Sequence, residues 1–234
     1  MKLLALETST EACSAALWLD GEVRERFELA PKTHTQLLLP MIDALLAEAQ
    51  LRPQQLDAIA FSRGPGSFTG VRIATGVMQG IAFGAELPVV PVSTLAALAQ
   101  DYFMRHSAQV ALVAMDARIE EIFWGVYQRD SQGFAQLVGE EAVLAPMTVT
   151  MPNLAAAGIG SGWAVYQSQL TARLIQPLID LDGACLPRAS AIAQLGVYGF
   201  NAGLAVPVEQ AMPVYLRDKV AKTEAERFAE KNSA

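Results

Sequence analysis

A glycine-rich stretch at residues 63–72, Arg-Gly-Pro-Gly-Ser-Phe-Thr-Gly-Val-Arg, most constrains how this chain can fold. An apolar segment of strand character precedes it, and apolar residues recur at helical spacing after it. Gly64 and Gly66 permit backbone angles that other residues avoid, and Ser67 or Thr69 can cap the first turn of a helix. The stretch therefore predicts a strand, a tight loop and a helix.

A loop of this kind can present backbone amides to an anion, but two common phosphate-binding motifs do not fit it. A Walker loop needs a Lys-Ser or Lys-Thr pair after its last glycine, whereas Gly70 is followed by Val71. The three spaced glycines of a dinucleotide-binding loop are missing as well. The loop alone therefore leaves two interpretations open, an anion site or a structural turn.

The helix after the loop carries Gly76, Gly80 and Gly84, one at every fourth position. Each internal glycine costs about 1 kcal/mol of helix stability relative to alanine. Close approach of another backbone would offset this cost. The sequence leaves open whether that backbone belongs to the same domain or to a partner protein.

A second helix is expected from Thr33, as its cap, to about Gln50, and its apolar residues are spread more widely than one buried stripe needs. Two interpretations fit this width: a helix buried deeply in its own domain, or one with a second face covered by a partner. His34, in the first turn, is interpreted as a capping or surface residue.

Hydrophobic periodicity and turn residues predict the same plan twice, an antiparallel meander followed by helices, although no residue-level repeat accompanies it. Predicted strands are 2–7, 12–19, 22–29, 56–62, 87–92, 109–115, 120–129 and 134–143, and predicted helices are 33–50, the glycine helix from 69 onward, 94–104 capped by Ser93, 163–174 and 188–201. Residues 213–217 are expected to be extended.

Composition limits the class of protein. With 234 residues, 52% of them hydrophobic and 18% charged, the chain suits one large domain or two small ones. No run of about 18 uninterrupted apolar residues predicts a membrane span. The apolar segment between Lys2 and Glu7 is too short for a signal peptide, so we expect a cytoplasmic protein.

Cysteine and histidine are scarce, with two of each. Cys13 and Cys185 form no zinc or disulfide pattern, and the presence of only His34 and His106 argues against a His-rich metal site or a histidine-based catalytic triad. The net charge of −7 argues against an autonomous nucleic-acid binder, because phosphate contacts need clustered Lys and Arg. We therefore expect any bound RNA to be held by a partner.

Three polar segments each allow a functional and a structural interpretation. The turn at residues 7–11, Glu-Thr-Ser-Thr-Glu, could bind phosphate or place a carboxylate near a metal, or could form an ordinary hairpin turn. The glycines at 158–162 are a second weak candidate for an anion site. Asp116 could act as a catalytic base, but pairing with Arg118 or capping its turn is the favoured interpretation.

Several motifs spread over most of the chain are typical of one family. They are residues 4–10, His34 with residues 37–40, the glycine block 64–73, residues 114–118 (Ala-Met-Asp-Ala-Arg) and residues 215–217 (Tyr-Leu-Arg). Together they resemble the TsaB (YeaZ) family, bacterial partners of the TsaD enzyme in making threonylcarbamoyladenosine (t6A) on tRNA.

The resemblance implies an α/β fold of the actin-like (ASKHA, ribonuclease H-like) type, with duplicated lobes that are each a mixed sheet with helices. The expected amino-terminal lobe is residues 1–105, completed by a segment near 205–220. The expected second, smaller lobe is residues 106–204, and residues 221–234 are expected to be a mobile tail.

The function implied by the resemblance is that of a non-catalytic scaffold that binds and activates a TsaD-type transferase. A TsaE-type ATPase joins the complex, tRNA is contacted only through it, and the chain forms a homodimer when the transferase is absent. The resemblance implies that this chain requires no cofactor and that the complex can bind ATP or ADP. The alternative hypothesis is a stand-alone actin-fold ATPase or phosphotransferase that uses Glu7, the two glycine loops and Asp116.

Carried over by position, the resemblance assigns two sets of site residues. The expected partner interface consists of His34, Leu37, Leu38, Met41, Ile42, Leu45, Thr69, Ile73, Gly76, Val77 and Gly80. The expected vestigial nucleotide loop consists of Glu7, Thr8, Ser9, Gly64, Gly66 and Ser67. Thr8 and Ser9 stand where actin-like kinases carry a glycine for phosphate, which argues against nucleotide binding by this loop.

Overall fold

Two five-stranded sheets with the same strand order form the framework of this computed structural model, which describes residues 1–217. The first sheet consists of β1 (Lys2–Glu7), β2 (Ala12–Leu19), β3 (Glu22–Leu29), β4 (Ala58–Ser62) and β5 (Val89–Val92). The second consists of β6 (Val110–Arg118), β7 (Glu121–Arg129), β8 (Ala135–Leu144), β9 (Ala157–Ile159) and β10 (Asp180–Asp182).

Each sheet begins with an antiparallel meander and ends with two parallel strands. The orders are β3-β2-β1-β4-β5 and β8-β7-β6-β9-β10, so the second sheet repeats the first strand by strand. The duplicated plan predicted from the sequence is therefore confirmed.

Within residues 1–217, five α-helices cover the sheets: α1 (His34–Glu48), α2 (Phe68–Ala85), α3 (Thr94–Arg105), α4 (Ser161–Thr171) and α5 (Ala189–Asn201). Alternate residues of β1 divide the core around the first sheet, because successive side chains of a strand point to opposite faces. Leu4 and Leu6 pack in the cluster with α1 and α2, whereas Leu3 and Ala5 pack with α5. Both faces of this strand are thus buried.

The helices α3 and α5 each pack on the sheet of the other half of the chain. Although α3 follows the first sheet, it packs on β6, β7 and β8 of the second sheet. Likewise, α5 follows the second sheet but packs on β1, β2 and β4, and it also contacts α3. Each half therefore contributes a helix to the other half's sheet. The lobe boundary expected at residue 105 remains a prediction.

Several local expectations can be compared with the structure. Ser93 caps α3 by accepting from the amides of Leu95 (3.1 Å) and Ala96 (3.4 Å), as predicted. Thr33 does not cap α1 with its side chain, because its hydroxyl donates to the carbonyl of Ala30 instead (3.1 Å). The strands β9 and β10 were not predicted, because segments of three residues are too short to show periodicity.

The carboxyl-terminal segment touches both halves of the fold. Val206 exchanges hydrogen bonds with Val89 at the edge of the first sheet (2.8 and 2.9 Å), whereas the Arg217 guanidinium pairs with Glu121 of β7 (2.5 Å). Residues 213–217 are irregular rather than a strand. The expected mobile tail, residues 221–234, lies outside the described residues.

No helix within residues 1–217 is long and apolar enough to cross a membrane.

We predict that Gly196→Ala destabilises the fold by about 1–3 kcal/mol, the usual cost of overpacking a close contact. A Cβ at Gly196 of α5 would lie 2.5 Å from the Cβ of Ala60 in β4. Urea unfolding measures the change. Gly84→Ala, at an exposed helical glycine with nothing within 4 Å, is the matched control and should stabilise the fold slightly. Equal stability of the two variants would contradict the close packing of α5 on the sheet.

Candidate functional site

The glycine loop packs its backbone directly against the turn that follows β1. The Ser67 amide donates to the Ser9 carbonyl, and the Thr8 hydroxyl donates to the Gly70 carbonyl, each at 2.7 Å. A Cβ at Gly66 would lie 2.5 Å from the Ser9 oxygen, and one at Gly70 would collide with the Thr8 carbonyl. The two glycines are therefore required for this contact, which supports the structural interpretation of the loop.

Ser67 also caps α2, because its hydroxyl accepts from the Gly70 amide at 3.3 Å. This confirms one of the two caps predicted for this helix. The other candidate, Thr69, is exposed.

Glu7 is fully buried at the end of β1. Its Oε1 accepts hydrogen bonds from the amide and the hydroxyl of Ser9, whereas its Oε2 has no partner among the described residues. Removal of the carboxyl from water raises its pKa from the ordinary 4.5 to about 6, since burial penalises the charged form. The turn thus satisfies its own amides around a carboxyl group, as the structural interpretation predicts.

The structure brings the six expected nucleotide-loop residues together, and two amides of this region already have partners inside the protein. The Ser9 amide is already bound to Glu7, and the Gly70 amide is bound to Ser67. The Val214 amide donates to the Arg63 carbonyl at 2.7 Å, so the carboxyl-terminal segment also lies against this loop. The Ser9 and Gly70 amides are consequently engaged inside the protein, beside a buried carboxyl group.

The second glycine loop has the same packing role. Gly160 has φ +95°, and a Cβ there would lie 2.6 Å from the Ala114 carbonyl of β6. A Cβ at Gly162 would lie 2.9 Å from Ala114, and one at Gly158 would lie 2.8 Å from the Trp163 ring. Both glycine loops therefore let a helix begin in contact with the first strand of its sheet.

Asp116 is held by its neighbours, as the favoured interpretation predicts. Its carboxylate pairs with the Arg118 guanidinium at 3.0 Å and accepts from the Arg118 amide at 2.9 Å. The Tyr166 hydroxyl lies 3.4 Å from it. Asp116 thus makes both contacts that the favoured interpretation predicts, pairing with Arg118 and forming a turn.

Four of the expected interface residues lie inside the protein. Leu38, Ile42 and Leu45 are at most 3% exposed and pack in the core between α1 and the first sheet. His34 is also buried, with its Nε2 2.9 Å from the Thr10 carbonyl. These residues can support a surface from below but cannot form it, and the interpretation of His34 as a capping or surface residue was wrong.

The accessible residues of α1 lie on two different sides of the helix. Leu37 and Met41 are half-buried on the side that also carries Glu48, which pairs with Arg26 of β3. Leu39, about 200° away around the helix, is 53% exposed and was not predicted from the sequence. Because Glu48 points toward β3, Leu39 lies on the side of α1 that faces away from β3.

The glycines of α2 face open space. Gly76, Gly80 and Gly84 are exposed, and a Cβ at any of them would meet nothing within 4 Å. Within residues 1–217 no other backbone comes close, so packing inside the same domain does not explain them. Seven of the accessible residues on the two helices are named here the α1–α2 surface: Leu39, Thr69, Ile73, Gly76, Val77, Gly80 and Gly84.

Comparison with known proteins gives a consistent result. The family model described as TsaD: tRNA N6-adenosine threonylcarbamoyltransferase matches residues 28–225. The "tRNA threonylcarbamoyladenosine biosynthesis protein TsaB" of Escherichia coli (strain K12) is 42% identical, covering 94% of this chain and 96% of that protein. Its counterpart in Haemophilus influenzae (strain ATCC 51907 / DSM 11121 / KW20 / Rd) is 39% identical, with coverages of 94% and 95%.

The chain belongs to the TsaB (YeaZ) family. The solved structure of YeaZ from Pseudomonas aeruginosa has a TM-score of 0.85 and 46% identity, covering 92% of this chain and 99% of that one. The fold is accordingly actin-like (ASKHA), with two mixed sheets and their helices.

An exposed aromatic cluster lies at the start of α2, at one end of the α1–α2 surface of this TsaB-family chain. It was not predicted from the sequence. Phe68 is 55% exposed, and its ring centroid lies 5.5 Å from that of Tyr215. The Arg72 guanidinium carbon lies 3.8 Å from the Phe68 ring centroid. The only signal in the sequence was the i, i+4 spacing of Phe68, Arg72, Gly76 and Gly80 along one stripe.

No three His, Cys, Asp or Glu residues lie together as a metal site in the described part of this TsaB-family chain.

We predict that Glu7→Gln changes the pH dependence of stability. Between pH 4.5 and 6 the native protein holds its Glu7 proton more tightly than the unfolded chain, so wild-type stability falls as pH rises through that window. The variant has no such group, so from pH 4 to pH 7 it should gain about 2 kcal/mol relative to wild type. Urea unfolding at several pH values measures the difference, with Glu11→Gln, an exposed residue of the same turn, as the control. Parallel pH profiles for Glu7→Gln and wild type would contradict the assignment.

Proposed function

We propose that this TsaB-family chain is a non-catalytic scaffold that binds and activates a TsaD-type transferase in the formation of t6A next to the anticodon of tRNAs. The names of its relatives support the pathway. The observation that carries the proposal is the open glycine stripe of α2, which nothing in residues 1–217 covers.

The physical reason lies in the cost of that stripe. Three glycines in the interior of an 18-residue helix cost about 3 kcal/mol relative to alanine. Inside the described fold the absence of their side chains has no packing benefit. A helix of a partner could approach closely there and bury Leu39, Ile73 and Val77 beside the glycines. The α1–α2 surface is thus best suited to helix-on-helix contact.

The proposed role of the chain in the reaction is to position the transferase. We propose that the transferase and a TsaE-type ATPase bind the ATP or ADP that the complex uses, since the Ser9 and Gly70 amides beside Glu7 are already engaged within this chain. The net charge of −7 supports contact with tRNA through the complex rather than through this chain alone. In the absence of the transferase, two copies pair through the same surface, as an isologous contact allows.

The direct test is tRNA threonylcarbamoylation with purified TsaD-type and TsaE-type proteins and preformed threonylcarbamoyl-adenylate, with and without this chain. The expected result is modification that depends on the chain, co-elution with the transferase, and no ATP hydrolysis by the chain alone. A transferase that works equally well without the chain and does not bind it would overturn the proposal. Hydrolysis of ATP by the chain alone would favour the phosphotransferase alternative.

We predict that Leu39→Asp abolishes co-elution with the transferase while the isolated chain stays folded. The residue is 53% exposed, so the new carboxylate is solvated in the free chain and loses water only in the complex. Leu38→Asp should instead unfold the chain, because Leu38 is fully buried. Circular dichroism and size-exclusion chromatography separate the two effects.

Met41→Asp completes this comparison, because Met41 lies on the opposite side of α1 from Leu39. We expect it to weaken binding less than Leu39→Asp does. A stronger effect at Met41 would place the partner on the β3 side of the helix and overturn our definition of the surface.

We predict that Gly80→Leu reduces tRNA modification at least tenfold (about 1.4 kcal/mol) without loss of folding stability. The new side chain enters open space in the free chain but prevents close approach of a partner helix. The measurements are the modification rate and urea unfolding of the isolated variant. Gly203 (φ +75°) and Gly133 are unsuitable as control positions, because a leucine would be strained at the positive φ of either residue. The matched control is Ala172→Leu, at an exposed position just after α4.

A further inference from the structure

Arg72 is the single charged residue of α2, in a segment that is otherwise apolar, small or neutral. Its side chain is exposed but ordered by two aromatic neighbours. The guanidinium carbon lies 3.8 Å from the Phe68 ring centroid, and Nε donates to the Tyr215 hydroxyl at 2.9 Å. Such stacking and hydrogen bonding hold an arginine in one orientation.

Tyr215 is itself held from both sides. The amide of Val214 donates to the Arg63 carbonyl at 2.7 Å, and Arg217 donates to the Ala117 carbonyl and to Glu121. The short segment between these anchors therefore places the tyrosine hydroxyl beside Arg72. As a result, part of the entropy cost of ordering the guanidinium is met before any partner binds.

With Nε engaged, the two Nη groups of Arg72 have no acceptor among residues 1–217. A guanidinium offers donors in a planar fork whose geometry matches a carboxylate. Arg72 also lies four residues before Gly76 and eight before Gly80, in the same stripe. The fork therefore stands at one end of the α1–α2 surface.

We propose that Arg72 is the polar anchor of this surface and that its Nη groups bind a carboxylate, from an Asp or Glu side chain, on the TsaD-type transferase. This inference rests on the proposed function and names the chemistry of its contact. Arg72 is the one charged residue that α2 contributes to this surface, and its positive charge selects a partner with a negative charge at the matching place. Tyr215 is a positioning residue that holds the guanidinium for this contact.

The test is isothermal titration calorimetry of the full chain against the purified transferase. Arg72→Ala should raise Kd about tenfold to a hundredfold, in the range of interface hot spots. Arg72→Lys keeps the charge but not the fork and should raise Kd by less, and Tyr215→Phe should raise Kd about twofold to fivefold through lost positioning. The affinity of wild type should fall more steeply with added NaCl than that of Arg72→Ala.

Arg173→Ala is the matched control, since it removes one positive charge from an exposed position after α4 and should leave Kd unchanged. Circular dichroism confirms that each variant is folded. A double-mutant cycle with single Asp→Asn and Glu→Gln changes on the transferase should identify one carboxylate whose loss has no further effect in Arg72→Ala.

Two results would overturn the inference while leaving the proposed function intact. One is a folded Arg72→Ala variant whose affinity for the transferase is within twofold of wild type. The other is weaker self-association of the variant, measured by analytical ultracentrifugation, with unchanged affinity for the transferase, which would assign the guanidinium to a second copy. Failure of the unaltered chain to bind the transferase would overturn the proposed function and this inference together.

Discussion

The contact between the β1–β2 turn and the glycine loop holds the candidate α1–α2 surface in place. Carbonyl groups of Thr8 and Ser9 lie where side chains at Gly70 and Gly66 would otherwise be, so the start of α2 is held against the end of β1. This contact sets the direction in which an 18-residue helix leaves the sheet. The exposed face of α2, including its glycine stripe, follows from that direction.

The second sheet repeats this contact with different residues and without the same surface. Gly160 and Gly162 pack on Ala114 of β6 much as the first loop packs on the end of β1. However, residues 145–156, between β8 and β9, contain one short 3-10 turn where the first half has α1. Within residues 1–217, the first half therefore presents the neighbouring helices α1 and α2, and the second half has no counterpart of α1. A duplicated fold has in this way become asymmetric in its surfaces.

Sequence patterns predicted the long elements and the duplicated plan, because periodicity is a local property. They missed β9 and β10, whose three residues each are ordered by pairing with β6 and with each other. At the candidate site the sequence identified the glycines of α2 but not the face to which they point. The family resemblance also placed Leu38, Ile42 and Leu45 in an interface, and the wide apolar set of α1 could not correct this, since it does not show which residues a neighbouring sheet covers.

Residue order alone was enough to show that α2 is glycine-striped, that two glycine loops precede helices, and that two histidines and two cysteines give neither a His-rich metal motif nor a disulfide pattern. These are properties of residue identity and spacing. Only the tertiary structure decided that the glycines face open space, that Glu7 is buried among its own hydrogen-bond donors, and that Tyr215 meets Arg72 across 143 residues of chain. The reason is that exposure and long-range contact depend on how the two sheets and the carboxyl-terminal segment pack, and no local pattern records that packing.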